Sequence, residues 1–137
     1  MGTRSRIGIK NQDGTVTSVY CHWDGYLEHN GKILFGIYNT EEKIRELLSY
    51  GNISSLARYI GEKHDFNMKS PIWTTFYGRD RDEEDMEARI HPTVRDFLKH
   101  SEEYNYLFKD GQWVYRSYEG KRWIKLTERN THSKIRL

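Results

Sequence analysis

The sequence contains little that would support a disulfide-linked, membrane-spanning or disordered protein. Its 137 residues include one cysteine and two prolines. A single cysteine excludes an internal disulfide and a cysteine-rich zinc site. No apolar run approaches the ~20 residues that a membrane-spanning helix needs, and the first residues lack the pattern of a signal peptide. We therefore expect one folded, soluble domain that does not associate with membranes.

A strong charge of one sign is also missing. The 22 Lys and Arg residues almost balance the 20 Asp and Glu residues, for a net charge of +2. That excess does not by itself predict nucleic-acid binding. The charges are unevenly spread, because residues 79–89 contain six acids and three arginines, whereas residues 129–137 are basic and polar. Each segment fits either a solvated surface or a charged contact surface.

Aromatic residues, in contrast, are abundant. Four Trp, ten Tyr and five Phe make up 14% of the chain, and such large side chains can fill a core that has few aliphatic residues. We expect more aromatic rings than one small interior can use. We expect the surplus rings to contact a partner.

Hydrophobic periodicity predicts strands at both ends of the chain and helices in the middle. Residues 4–10 and 15–23 alternate as two strands joined by an Asp13-Gly14 turn. Thr40 is a good N-cap for a helix that Gly51 ends. The remaining predicted elements are helices at 26–37, 52–60 and 92–100 and strands at 72–77, 104–108, 113–118 and 122–126.

The predicted order of elements is ββ-ααα-β-α-βββ, which indicates the α+β class. We expect a single antiparallel β-sheet of about six strands with the helices packed on one face. The other face would then be open to solvent or to a partner. Residues 1–128 are predicted to form this single domain, and residues 129–137 a basic C-terminal tail.

Several short motifs resemble a family of small proteins encoded by tailed bacteriophages and prophages. The chain begins with Met-Gly-Thr-Arg-Ser, and residues 20–26 read Tyr-Cys-His-Trp-Asp-Gly-Tyr. Further matches are Asp-Gly-Thr at 13–15, Gly-Asn-Ile-Ser-Ser-Leu at 51–56 and Thr-Phe-Tyr-Gly-Arg-Asp-Arg at 75–81. The resemblance implies a phage origin and a location in the cytoplasm of the bacterial host. It implies no activity and no catalytic residue, although compact phage proteins of this kind often act in host takeover or counter-defence.

The segment Cys21-His22-Trp23-Asp24 contains residue types used in metal sites and in nucleophilic catalysis. Successive strand residues point to opposite faces, so Cys21 and His22 cannot easily share an ion. His22 and Asp24 could form a His–carboxylate pair, but no nucleophile elbow, phosphate-binding glycine loop or paired-acid motif accompanies them. We therefore predict no metal site, no cofactor and no catalytic residue, and we assign His22 to binding. The sequence favours a binding protein over an enzyme.

Residues 73–81 place an aromatic strand next to two arginines. Aromatic faces stack on bases, and arginine side chains bind phosphates. Alternatively, the rings pack under the helices and the arginines pair with neighbouring acids. Arg4 and Arg6 would add to a binding surface if the first strand lies beside this segment. The predicted binding residues of the segment itself are Trp73, Tyr77, Arg79 and Arg81.

The last three predicted strands form an aromatic meander. Half of their side chains face outward if the sheet is single-layered, and an open aromatic face beside charges is typical of interaction surfaces. The same face could equally be buried in a homodimer. We include Trp113 and Tyr115 among the predicted binding residues.

Three functional hypotheses follow from these features. The first is a non-enzymatic phage accessory protein that binds and inhibits a host macromolecule, in particular a host protein, through the open sheet face and residues 79–87. The second is a sponge that sequesters a nucleotide immune signal between aromatic rings and arginines without cleaving it. The third is an RNA-binding module, whose affinity would fall steeply with salt.

Overall fold

A computed structural model of the protein describes residues 2–68 and 70–132. Within these residues the chain forms one β-sheet and several short helices. The strands are β1 (Ser5–Lys10), β2 (Val16–Trp23), β3 (Ile53–Ser55), β4 (Thr75–Phe76), β5 (Arg89–His91), β6 (Tyr104–Lys109), β7 (Gln112–Ser117) and β8 (Ile124–Lys125). A π-helical segment (Leu27–Gly31) continues into α1 (Lys32–Gly36), and the other helices are α2 (Glu41–Ser49), α3 (Tyr77–Arg81), α4 (Val94–Leu98) and α5 (Glu128–Thr131). None of these helices has the length and apolar character that crossing a bilayer requires.

The sheet is mixed, with the strand order β4-β3-β2-β1-β6-β7-β8 and with β5 also paired to β2. β1 runs parallel to β6, and β2 runs parallel to β3. The α+β class is confirmed, but the prediction of a fully antiparallel sheet of about six strands is wrong. Alternation in a sequence shows which residues share a face of a strand, and it does not show the direction of the neighbouring strand.

The predicted first hairpin is present and lies at the centre of the sheet. β1 and β2 pair so that Ile7 lies opposite Val19, and both side chains are fully buried. In the turn, the Asp13 carboxylate accepts hydrogen bonds from the Thr15 amide at 3.0 Å and from the Thr15 hydroxyl at 2.6 Å. Gly14 adopts a φ of +90°, a conformation that favours glycine.

Helices α1 and α2 cover one face of the sheet, which we call the helical face. Thr40 caps α2 as predicted, because its hydroxyl accepts a hydrogen bond from the Lys43 amide at 3.2 Å. The apolar side of α2 packs against β1 and β2. The core of this layer includes Ile7, Val19, Cys21, Leu34, Ile44, Leu47, Ile53, Phe76, Tyr106 and Trp113.

Helix α4 packs on the opposite face, which corrects the prediction that the helices lie on one side of the sheet. Phe97 is fully buried in a cluster with Val16, Leu107 and Val114. Gly8 leaves room for this ring, because a Cβ atom at Gly8 would lie 3.0 Å from Phe97 Cε1. With only five residues, α4 covers part of this face and leaves the rest open.

The predicted helix at 52–60 is wrong, because Ile53–Ser55 form strand β3. The Asn52 amide donates to the Met86 carbonyl at 2.7 Å, and the Asn52 carbonyl accepts from the Tyr77 amide at 3.3 Å. The backbone therefore bonds to distant segments instead of to its own next turn. Apolar spacing in so short a segment fits both a helix and a strand, and these tertiary bonds decide between them.

Two further elements differ from the prediction. The strand expected at 72–77 contains only Thr75–Phe76, and helix α3 follows it directly. Strand β5 was not expected, because Arg89–His91 has no run of β-forming residues and pairs only with the first half of β2.

Helix α5 follows β8 and packs against the π-helical segment and α1. Thr127 and Asn130 form a capping box at its N-terminus. The helix includes the first residues of the segment predicted as a basic tail. Residues 133–137 of that segment lie outside the described residues.

Candidate functional site

The face opposite the helical face is uncovered beyond the C-terminal end of α4. Tyr20 and His22 lie there because they alternate with residues that pack into the core. The Tyr20 amide donates to the Asn52 side-chain oxygen at 3.0 Å, and the Tyr77 amide donates to the Asn52 carbonyl at 3.3 Å, so Asn52 brings Tyr77 beside Tyr20. We call the surface formed by Arg4, Tyr20, His22 and Tyr77 the open half-face. Arg4 is exposed, and the other three residues are half-buried.

Tyr20 and His22 are held in place by each other. The Tyr20 hydroxyl lies 2.7 Å from His22 Nδ1, and the His22 ring packs edge-on against Trp23 with centroids 4.9 Å apart. Partial burial raises the pKa of Tyr20, although the Arg4 guanidinium opposes this effect. The hydroxyl therefore stays protonated at neutral pH, and both rings present a fixed, polar aromatic surface.

Tyr77 extends the open half-face toward a second ring, Phe66. Their centroids are 5.6 Å apart, and the Arg81 guanidinium lies 4.3 Å from the Phe66 centroid and 5.0 Å from the Tyr77 centroid. Burial raises the pKa of Tyr77, and a hydrogen bond with Ser54 partly offsets this. Arg81 also pairs with Glu83, and about half of its side chain is exposed. Of the sequence-predicted residues, Tyr77 and Arg81 therefore meet in an accessible aromatic–cation cluster.

Arg6 is buried next to the open half-face. The residue is 8% exposed, and its guanidinium donates to the His100 carbonyl at 3.1 Å and to Ser18 Oγ at 3.1 Å. Burial lowers the pKa of Arg6, although the Glu102 carboxylate opposes this effect. The sequence predicts Arg6 as a binding residue. In the structure its side chain instead attaches the end of α4 to the sheet.

Arg79 is bonded within the fold in the same way. Its guanidinium donates to the carbonyls of Ile60 at 2.9 Å and Thr74 at 2.8 Å and to Asp80 at 3.0 Å. Burial would raise the pKa of Asp80, but Arg79 and the amides of Phe76 and His64 outweigh this and lower it. Most of the donor groups of Arg79 are therefore already used.

Trp73 is half-buried and packs over Gly61 and beside His64. A Cβ atom at Gly61 would overlap the Trp73 ring, and the His64 and Trp73 ring centroids are 5.7 Å apart. Trp73 precedes the edge strand β4, whereas Tyr77 follows it. The ring contact of Trp73 is with His64.

A cleft of about 500 Å³ lies beside Arg79, with Tyr50 on its wall. Trp73 and Tyr77 are not part of its lining, so this cleft does not bring Arg79 together with the two predicted binding rings of residues 73–81. The rest of the lining includes Glu83, Glu84, Asp85 and Glu87. These carboxylates would repel a phosphate group.

The two predicted residues of the meander have different environments. Trp113 is 3% exposed, and its indole Nε1 donates to the Tyr38 carbonyl at 2.8 Å. Tyr115 is half-buried and packs near Tyr106, with ring centroids 6.5 Å apart. Both lie on the helical face, as their pairing with β6 shows. They are therefore remote from the open half-face, and Trp113 offers no surface to a partner.

Cys21 is enclosed in the core and is not accessible as a nucleophile. Burial raises the pKa of its thiol to about 12, and the thiol donates to the Trp23 carbonyl at 3.1 Å. His22 lies on the other side of the strand, where it bonds to Tyr20. Among the described residues, no group of three or more His, Cys, Asp or Glu side chains is placed to hold a metal ion.

A serine–histidine pair also lies beneath α4. Ser18 Oγ is 2.7 Å from His91 Nε2, a distance that suits a nucleophile and its base. Ser18 is fully buried and His91 is 2% exposed, so a substrate cannot reach either group in this structure. The pair therefore satisfies two buried polar side chains.

Sequence reasoning did not select Tyr20 or Phe66. His22 was selected for its residue type within Cys21-His22-Trp23-Asp24. Alternation along β2 places Tyr20 on the same side as His22 and could have identified it. Phe66 lies in a polar loop, and its ring packs against Tyr77 only once the chain is folded. No local pattern identifies it.

Comparison with known proteins does not extend this description. The chain matches no protein-family model, no curated protein and no solved structure. Its functional assignment therefore depends on the geometry of its own residues.

Proposed function

We propose that this protein is a non-enzymatic accessory protein that binds and inhibits a host protein through the open half-face. The observation that supports the proposal is the arrangement of Tyr20, His22 and Tyr77 on an uncovered part of the sheet. The rings are held in position by hydrogen bonds and are only half-buried. On the basis of the phage resemblance, we expect the partner in the cytoplasm of a bacterial host.

The chemistry of the open half-face suits a protein partner. Tyrosine and arginine are the residue types enriched where binding energy concentrates in protein interfaces. Rings that are already ordered lose little conformational entropy on binding. The acids Glu102 and Glu103 lie close to Arg4, so the surface is mixed in charge. A mixed surface favours a protein partner over a polyanion such as RNA.

A nucleotide sponge is the second candidate, and the Phe66–Tyr77–Arg81 cluster is the observation that favours it. Two adjacent rings beneath a guanidinium could stack a base and contact its phosphate. The pairing of Arg81 with Glu83 opposes this use. Calorimetry with a panel of cyclic nucleotides tests the candidate, and the absence of heat with every member would exclude it.

The protein-binding proposal is tested by affinity capture from a bacterial host lysate with matched variants. Wild type, Tyr77→Ala and Tyr20→Ala are compared with Tyr118→Ala, because Tyr118 is 73% exposed and lies in the turn after β7. We expect wild type and Tyr118→Ala to retain the same host protein and the other two variants to lose it. Nuclease treatment of the lysate should leave capture unchanged.

Two results would contradict the proposal. Equal capture by all four proteins would show that the open half-face does not make the contact. Loss of capture after nuclease treatment, with a steep salt dependence, would indicate an RNA partner instead. Light scattering over a concentration series would identify a homodimer that buries this surface.

A further inference from the structure

A second cleft, of about 370 Å³, lies on the helical side of the molecule between α1 and the chain that follows β3. Its volume is within the range of small-molecule sites. The apolar part of its wall comes from Ile33 in α1 and Ile37 just after it, and from Ala57 and Pro71 on the opposite side. It is separate from the open half-face, and the inference made from it does not depend on the proposed function.

The rest of the lining consists of Gly36 and three basic residues: His29, Lys32 and Arg58. Among the described residues that line it, none is acidic. Lys32 and Arg58 are exposed, and neither forms an ion pair with any residue in the described part of the chain. The cleft therefore combines an apolar wall with two cations, Lys32 and Arg58, that form no ion pair within the described residues.

One hydrogen bond on each side of the cleft holds a lining residue. The Tyr38 hydroxyl donates to the Arg58 carbonyl at 3.3 Å, and burial raises the pKa of that hydroxyl to about 12. On the other side, His29 Nδ1 lies 3.0 Å from the Asn30 side-chain oxygen. This contact leaves Nε2 as the ring atom that can meet a ligand. These contacts hold the Arg58 backbone and the His29 ring in place at the cleft.

We propose that this cleft binds a small organic anion that has one charged head group and a short apolar body. The head group would lie among His29, Lys32 and Arg58, and the body would lie against Ile33 and Ile37. Charge complementarity sets the sign of the ligand, and the apolar wall excludes a bare inorganic ion as the best occupant. A carboxylate and a phosphate monoester share this chemistry.

The proposal is tested by following backbone amide shifts during titration with 4-phenylbutanoate. We expect saturable shifts of the Gly36 and Ala57 amides with a dissociation constant on the order of 1 mM or tighter. Phenyl phosphate is titrated in parallel, and stronger binding by either compound identifies the preferred head group. The neutral amide 4-phenylbutanamide and acetate should each bind at least about fivefold more weakly. The amide lacks the charged head group, and acetate lacks the apolar body.

Variants locate the site and separate binding from folding. Lys32→Ala and Arg58→Ala should each weaken 4-phenylbutanoate binding about fivefold, whereas Lys121→Ala, in an exposed turn elsewhere, should not. Gly36→Leu is the sharper test. Gly36 lines the cleft, and a Cβ atom there meets nothing within 4 Å, so the fold has room for the larger side chain, and we expect it to block binding in a folded protein.

Three outcomes would overturn the proposal. The first is the absence of saturable shifts at Gly36 and Ala57 with either aromatic anion. The second is equal binding of acetate or of 4-phenylbutanamide, which would indicate a nonspecific charged or apolar surface. The third is unchanged 4-phenylbutanoate affinity in a folded Gly36→Leu protein.

Discussion

Asp80 is a buried carboxylate that organises the chain around the candidate surface. It accepts hydrogen bonds from the amides of Phe76 at 2.8 Å and His64 at 3.1 Å and from the Arg79 guanidinium at 3.0 Å. Its side chain is not exposed. Asp80 therefore joins β4, α3 and the connection at His64, and Arg79 depends on it for charge balance.

We predict that Asp80→Asn lowers the free energy of unfolding by about 3 kcal/mol, because it leaves the Arg79 charge buried without its partner. Urea denaturation measures this change. Asp82→Asn is the matched control. The Asp82 side chain is 81% exposed where it pairs with Lys63, and we expect that substitution to cost less than about 0.5 kcal/mol. Equal effects of the two substitutions would contradict the structural role of Asp80.

His91 should make stability depend on pH. Burial lowers the pKa of His91 to about 4, and the positive charges of Arg6, His100 and Arg89 act in the same direction while Asp96 opposes them. The unfolded chain, with a histidine pKa near 6.5, binds a proton between pH 6.5 and pH 4 that the folded chain does not. The free energy of unfolding should therefore be highest above pH 6.5 and should fall by at most about 3 kcal/mol as the pH decreases toward 4.

The pH dependence is measured by urea denaturation at intervals between pH 4 and pH 7. In His91→Gln the slope over this range should be much smaller, because the glutamine does not titrate. His132→Gln is the control, since the His132 side chain is 66% exposed. An unchanged slope in His91→Gln would show that other groups control the acid sensitivity.

At the scale of elements, α4 is a small helix that depends on one large side chain. Phe97 fills the space above Gly8 and packs with Val16 and Leu107. Arg6 donates to the carbonyl of His100 just beyond the helix. One ring and one guanidinium therefore hold α4 on the sheet and set where the open half-face begins.

We predict that Phe97→Ala lowers the free energy of unfolding by about 4 kcal/mol, through lost burial and the cavity that remains. Phe66→Ala is the comparison, because Phe66 is half-buried at the surface, and we expect it to cost about 1 kcal/mol. Chemical denaturation of both variants measures the difference. If Phe97→Ala were as mild as Phe66→Ala, α4 would not be an integral part of the fold.

Some elements could be predicted from sequence because local chemistry determines them. The Asp13-Gly14 turn and the Thr40 cap each depend on side-chain and backbone preferences within a few residues. β3 could not be predicted, because Asn52 bonds to Met86 and Tyr77 far along the chain. The position of α4 also depends on tertiary contacts, since its apolar residues fit either face of a sheet.

The candidate surface was partly predictable for the same reason. Alternation in β2 places His22 on the side opposite the core, and the Tyr77–Arg81 segment contains both rings and cations. The burial of Arg6 and Trp113 could not be foreseen. Their hydrogen-bond acceptors, the carbonyls of His100 and Tyr38, lie 94 and 75 residues away in sequence.

At the scale of the whole molecule, the aromatic residues are divided between the core and the surface. Among the Trp and Tyr residues, Tyr38, Tyr106 and Trp113 are buried. Tyr26, Tyr50, Tyr59 and Tyr118 are exposed, with 39 to 73% of each residue accessible, and the others are half-buried. The interior therefore uses only some of the rings, which agrees with the expectation of more aromatic rings than one small interior can use.

The central claim is that the rings of the open half-face contact a host protein. Hydroxyl-radical footprinting of the intact protein, in host lysate and in buffer, tests it most directly because each tyrosine reports its own accessibility. We predict that oxidation of Tyr20 and Tyr77 falls several-fold in lysate while oxidation of Tyr59 and Tyr118 does not change. Equal oxidation of Tyr20 and Tyr77 in both conditions, or protection confined to Tyr59 and Tyr118, would contradict the account.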